Sequence, residues 1–140
     1  MHRPTTDVPA AAVRIDIADN QDVVIVRQRV REHAQRLGFS LLEITKLVTA
    51  ASELARNTLE HGGGGYAEVE VLTEGARRGI RMRFVDDGPG IPDVAQALSD
   101  GFTTGKGLGL GLGGSRRLVS QLDIETTVGR GTKITAVRWK

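Results

Sequence analysis

The chain has 140 residues, 39% of them hydrophobic, which suits one compact domain with a real core. Lys and Arg number 19 against 17 Asp and Glu and are scattered, so the net charge of +2 offers no basic stripe for nucleic acid. With no cysteine there is no disulfide scaffold or thiolate metal site, and no apolar run nears the ~18 residues of a membrane span.

Residues 1–12, "MHRPTTDVPAAA", read as a flexible tail without the apolar block of a signal peptide, so a cytoplasmic location is expected. The segment 13–140 is expected to form the domain. "AVRIDIA" is a short strand candidate. Asp19 or Asn20 can cap the next helix, with Asp22 in its first turn. Val23, Val26, Val30, Ala34 and Leu37 recur at helical spacing before Gly38. Ser40 and Glu43 have the spacing of a capping box. A second helix is predicted from about Leu41 to His61, with Ile44, Leu47, Val48, Ala51, Leu54 and Ala55 as its apolar stripe.

After four glycines the period changes to two. Ala67, Val69 and Val71 alternate with Glu68 and Glu70; Ile80, Met82 and Phe84 alternate with Arg81 and Arg83. "EGARRG" joins the two runs as a hairpin, and their acidic and basic residues could pair across an exposed face. "PDVAQALSD" suggests a short helix, and another is predicted from about Leu110 to Leu122. "DIETTV" and "GTKITAVRW" are the last two strands. Helices and strands come in blocks, which predicts an α+β fold: a two-layer sandwich with helices on one face of a mixed, mostly antiparallel sheet.

Three places carry candidate chemistry. Glu53 and Asn57 lie one turn apart on the second helix, so they share a side of it. Taken alone, such a pair more often belongs to a solvated helix face. Asp86-x-Gly88-x-Gly90 follows a strand; it is either a plain turn or a carboxylate placed to accept from an exocyclic amine, beside glycines that admit a flat ring. "TTGKGLGLGLGG" holds six glycines within Gly105–Gly114 and runs into a helix, an arrangement that exposes backbone N–H groups to an anion such as polyphosphate.

Two familiar phosphate loops fail. Gly101 to Lys106 is one residue short of a Walker A loop, and Gly107 replaces its Ser or Thr. Gly109, Gly111 and Gly114 satisfy G-x-G-x-x-G, but no strand precedes them. His2, His33 and His61 lack metal-ligand spacing, and "GGS" is not a nucleophile elbow.

Glu53-x-x-x-Asn57, Asp86-x-Gly88-x-Gly90, Gly107-Leu-Gly109-Leu-Gly111 and Gly129-x-Gly131-Thr132, in this order, resemble the motif set of the GHKL (Bergerat-fold) ATPases, which include DNA gyrase B, Hsp90, MutL and the histidine kinases. Within that superfamily the chain looks like the small bacterial serine/threonine kinases of partner-switching pathways, of the RsbT type, with the anti-sigma factors RsbW and SpoIIAB as near relatives. The resemblance implies ATP and Mg²⁺ as cofactors. It implies Glu53 as general base and Asn57 as the Mg²⁺ ligand. Asp86 would bind the adenine amino group, Gly88 and Gly90 would shape the adenine wall, and Thr132 would close the base pocket. Gly105, Lys106, Gly107, Leu108, Gly109, Leu110 and Gly111 would form a lid over the phosphates, shorter than those of gyrase or Hsp90. His61 often has a counterpart in these kinases, with its role left open.

The partner implied is a STAS-domain antagonist phosphorylated on Ser or Thr, with a PP2C-type phosphatase as the switched partner. Sequestration of a sigma factor is the alternative. A nucleotide-gated module without a protein substrate is a third reading, made weaker by the retained Glu53. The resemblance gives no role to nucleic acid or membrane and admits a homodimer.

Overall fold

A computed structural model of the chain describes residues 12–99 and 112–140. The helices begin where the caps predict. Asp19 and Asp22 form a reciprocal capping box for α1 (Asn20–Arg36). Ser40 Oγ accepts from the Glu43 N–H at 3.1 Å, and the Glu43 carboxylate accepts from the Ser40 N–H at 2.8 Å, starting α2 (Leu41–Glu60). These contacts satisfy N–H groups that a helix start leaves without partners. The Ser40 backbone N–H also holds the Glu43 carboxyl below its ordinary range.

Val23, Val26, Val30 and Ala34 of α1 are buried, as the 3.6-residue period predicts. On α2, Leu47, Ala51 and Leu54 are completely buried. Each fully buried leucine contributes roughly 1.5–3 kcal/mol, so α2 is the main apolar anchor of the helical layer. α3 (Val94–Ala97) is one capped turn, and α4 (Leu112–Leu118) packs against α2.

The strands are β1 (Val13–Ile17), β2 (Gly65–Glu74), β3 (Arg77–Asp86), β4 (Gln121–Thr127) and β5 (Gly131–Trp139). They form one sheet in the order β1-β2-β3-β5-β4, and every pairing is antiparallel, so the parallel component of the mixed sheet allowed by the sequence is absent among the described residues. Ala67, Val69, Ile80, Met82, Phe84, Ile134 and Ala136 are buried against the helices. On the opposite face Glu70 pairs with Arg81, and Glu68 lies 3.8 Å from Arg83. These cross-strand pairs agree with the predicted alternation; surface pairs of this kind contribute about 1 kcal/mol or less.

Two boundaries differ from expectation. The hairpin loop is only Gly75 and Ala76, so Arg77 and Arg78 belong to β3. The last helix ends at Leu118, and Leu122 lies in β4. The Ser120 N–H donates to the Val137 carbonyl at 2.7 Å, so sheet pairing takes over there. A short apolar run fits either period until a partner strand decides it. Residues 1–11 of the expected tail lie outside the described residues.

Ser40→Ala should lower unfolding stability by about 1 kcal/mol at pH 7, measured by urea denaturation. Because the Glu43 carboxyl is depressed in the folded chain, its contribution is complete above the ordinary value of 4.5 and fades as pH falls through the folded value. Glu43→Ala, which removes that carboxylate, should therefore be less stable than the parent at pH 7 by a gap that narrows in acid, read by the same denaturation.

Candidate functional site

α2 and the end of β3 bring the candidate residues together. Asn57 is 5% exposed and Asp86 is also 5% exposed, in contrast to the solvated face that a lone Glu/Asn pair first suggests. Glu53 is half-buried; its carboxylate meets Arg56 Nη1 at 3.4 Å. Four residues of helix turn the side chain by only ~40° around the axis, yet that suffices to put Asn57 inside the edge of the apolar stripe and Glu53 just outside it. Glu53 opens on a cleft of about 260 Å³ between α1 and α2, lined by Arg27, Val48, Thr49, Ser52 and Glu53 itself.

Neither Oδ1 nor Nδ2 of Asn57 has a hydrogen-bond partner among the described residues. An unpaired buried amide costs about 1–3 kcal/mol, so a fold that keeps one keeps it for a ligand or for residues beyond those described. A carboxamide oxygen is a hard donor of the kind Mg²⁺ accepts. That donor fits the ion implied by the motif set.

Asp86 ends β3. Its Oδ1 accepts from the Gly88 N–H at 2.9 Å. Burial is the largest influence on this carboxyl and pushes its pKa above 3.8; the Gly88 and Thr132 backbone N–H groups and the nearby His61 act in the opposite sense. The chain leaving α2 crosses directly over it. A Cβ on Gly62 would collide with the Asp86 side chain, and one on Gly88 would lie 2.7 Å from Gly62 Cα. Only glycine allows this crossing, which accounts for part of the glycine run after His61.

The loop after Asp86 is tied from three directions. The ring Nε2 of His61 lies 3.1 Å from the Gly90 carbonyl, which makes Nε2–H the donor. The Gly129 N–H donates to the Pro89 carbonyl at 2.8 Å. The Ile91 N–H donates to Thr126 Oγ1 at 2.9 Å. Thr126 Oγ1 also lies 2.9 Å from Thr132 Oγ1 and 3.1 Å from the Gly131 carbonyl. Thr132 is 3% exposed and sits beside Asp86 through the β3–β5 pairing.

Thus the structure brings together Asp86, Gly88, Gly90 and Thr132, with Asn57 on the helix above them. Glu53 lies at the margin. Gly105, Lys106, Gly107, Leu108, Gly109, Leu110 and Gly111 lie outside the described residues. Sequence reading left His61 without a role and missed Thr126. Thr126 has no sequence signal, since its partners come from positions 91, 131 and 132 and meet only in the fold. A hollow of about 540 Å³ is lined by Asp86, Thr126 and Thr132 together with Val85, Glu125 and Lys133, which alternate onto the sheet face away from the helices.

A family model described as "Histidine kinase-, DNA gyrase B-, and HSP90-like ATPase" matches residues 43–140. The chain belongs to that family. This ATPase-family chain is 38% identical over 125 residues to Serine/threonine-protein kinase RsbT of Bacillus subtilis (strain 168), covering 89% of the chain and 94% of that relative. It is 30% identical over 123 residues to an Anti-sigma F factor of Clostridium novyi (strain NT), covering 84% and 86% respectively. The solved structure of the RsbU and RsbW domains of Rv1364c from Mycobacterium tuberculosis matches with a TM-score of 0.65 at 20% identity. That match covers 94% of this chain and 33% of the other, so the chain spans a third of that structure, and the likeness is one of fold.

Asp86→Asn should stabilise the ligand-free protein at neutral pH. The sign follows from the raised pKa: the folded state resists ionisation, so the cost of the charge is present above the folded pKa and relieved as pH falls through it. Thermal melts should therefore show the variant ahead at pH 7, with its advantage shrinking toward pH 4.

Proposed function

We propose that this chain is a serine/threonine protein kinase of a bacterial partner-switching pathway. It moves the γ-phosphoryl group of ATP to a Ser or Thr hydroxyl of a STAS-domain antagonist and passes between that antagonist and a PP2C-type phosphatase. The observation that carries the reading is the Asn57 side chain on α2, buried and unpaired among the described residues, one turn from a carboxylate that reaches solvent, on a helix whose exit at Gly62 packs against the buried Asp86. The 38% identity to RsbT over nearly the whole of both chains supports the choice of reaction.

In this reading each residue has a separate task. Asp86 accepts from the exocyclic amine of adenine, in a place dry enough to make that bond selective. The loop Gly88–Ile91, held by His61 and Thr126, forms the wall beside the base. Asn57 Oδ1 would hold Mg²⁺, which when bound would supply positive charge to the phosphates. Glu53 stands where a protein can reach it. Its side chain is 40% exposed, and its contact with Arg56 is a long surface pair that an incoming substrate can displace. Glu53 takes the proton from the attacking hydroxyl as the new O–P bond forms and ADP leaves.

Among the described residues no helix is long and apolar enough to cross a membrane. A cytoplasmic location fits the chemistry, since ATP and reduced protein partners are found there.

The 30% identity to an anti-sigma F factor favours one second reading, in which the same fold sequesters a sigma factor and phosphorylation of an antagonist releases it. Capture of a sigma factor rather than a PP2C-type phosphatase in a pull-down with purified candidates would select it.

Glu53→Gln should retain ATP affinity by calorimetry and lose about 10²–10⁴-fold in phosphoryl transfer, read as the mass gain of a STAS acceptor incubated with Mg-ATP. Transfer at the parental rate would remove Glu53 as the base. Asn57→Ala should abolish the extra thermal stabilisation that Mg²⁺ adds to ATP; an unchanged Mg²⁺-dependent shift would remove Asn57 as the ligand.

A further inference from the structure

Thr126 lies on β4, separated by β5 from the carboxylate on β3 that the adenine reading depends on, and its hydroxyl is at bonding distance from three groups. The Ile91 N–H can only donate, and the Gly131 carbonyl can only accept. The third neighbour, the Thr132 hydroxyl at 2.9 Å, can do either. A threonine hydroxyl has one proton and two lone pairs. All three contacts can be made together in only one way. Thr126 gives its proton to the Gly131 carbonyl, accepts from Ile91 on one lone pair, and accepts the Thr132 proton on the other.

This assignment settles what Thr132 can offer a ligand. Its proton is committed to Thr126, so only lone pairs remain. The neighbouring Asp86 carboxylate is an acceptor as well, with Gly88 already bonded to one oxygen. The base end of the site therefore presents acceptors from two side chains.

We propose that Thr126 is a specificity-determining positioning residue: by holding the Thr132 proton it makes the base end of the site acceptor-only, and so selects a purine with an amino group at position 6 over one with a carbonyl there. The proposal rests on the adenine reading of Asp86 given above. Without the Thr126 hydroxyl, the Thr132 proton is free to turn toward a 6-carbonyl and soften the discrimination.

ATP and ITP differ at this position of the base, so the pair is the probe. Affinities of the intact chain for both are measured by calorimetry with Mg²⁺ for the parent, Thr126→Val and Thr126→Ser. The ATP-over-ITP preference should fall by about fivefold in Thr126→Val, the scale of one net neutral hydrogen bond. It should be retained in Thr126→Ser, which keeps the hydroxyl. Loss of the Ile91 tie alone would weaken both nucleotides by a common factor and leave the ratio intact; that result overturns the proposal. Equal loss of preference in the serine and valine variants overturns it too. Thr126→Ala, which takes less room and also lacks the hydroxyl, gives the same reading if the valine variant does not fold. A parent chain that binds ATP no better than ITP would overturn the adenine reading itself, an outcome seen before any variant is compared.

Discussion

Everything at the site depends on a backbone crossing. The chain leaving α2 passes so close to the end of β3 that Gly62, Gly88 and the Asp86 side chain share one layer of contact. Nothing larger than hydrogen fits on the glycines, so the helix and the sheet meet here without side chains between them. That closeness removes water from Asp86 and raises the cost of its charge. The same closeness brings the His61 ring to the Gly90 carbonyl. Had the two elements been spaced by ordinary side chains, Asp86 would be a solvated turn residue.

The site is therefore built at the expense of local stability. Asn57 has unpaired polar atoms in a buried position, and Asp86 has a carboxyl whose ionisation is resisted. α2 supports both by its other half-turns: Leu47, Leu54 and Ala51 are fully buried on the same helix. An apolar stripe that runs past the polar position on either side holds the backbone where the amide alone would not. This division explains how one helix serves as core and still carries a buried polar side chain.

Much of this was legible in the sequence because it follows from local rules. The cap of α1, the capping box of α2, the stripe on α2 and the alternation in β2 and β3 each lie within a few residues, and the structure agrees with each. The spacing of Glu53 and Asn57 was legible too, but not their different depths, which depend on how α2 rolls against the sheet. Leu122 fits an apolar period of either kind, and only pairing with β5 assigns it to a strand. Thr126 left no trace because its three partners lie 35, 5 and 6 residues away. A contact that joins distant segments through a single hydroxyl has no periodicity to detect.

The strand order carries a consequence for how the molecule comes into being. β5, last in sequence, lies between β3 and β4 rather than at an edge. During synthesis, then, β4 emerges with nowhere to dock, and the hairpin of β2 and β3 waits with one edge bare. Thr132, the companion of Asp86, arrives with that same final insertion. A ribosome-bound chain must therefore release β5 before Thr132 can pair with Asp86, and its half-built sheet must be kept from pairing with a neighbour until then.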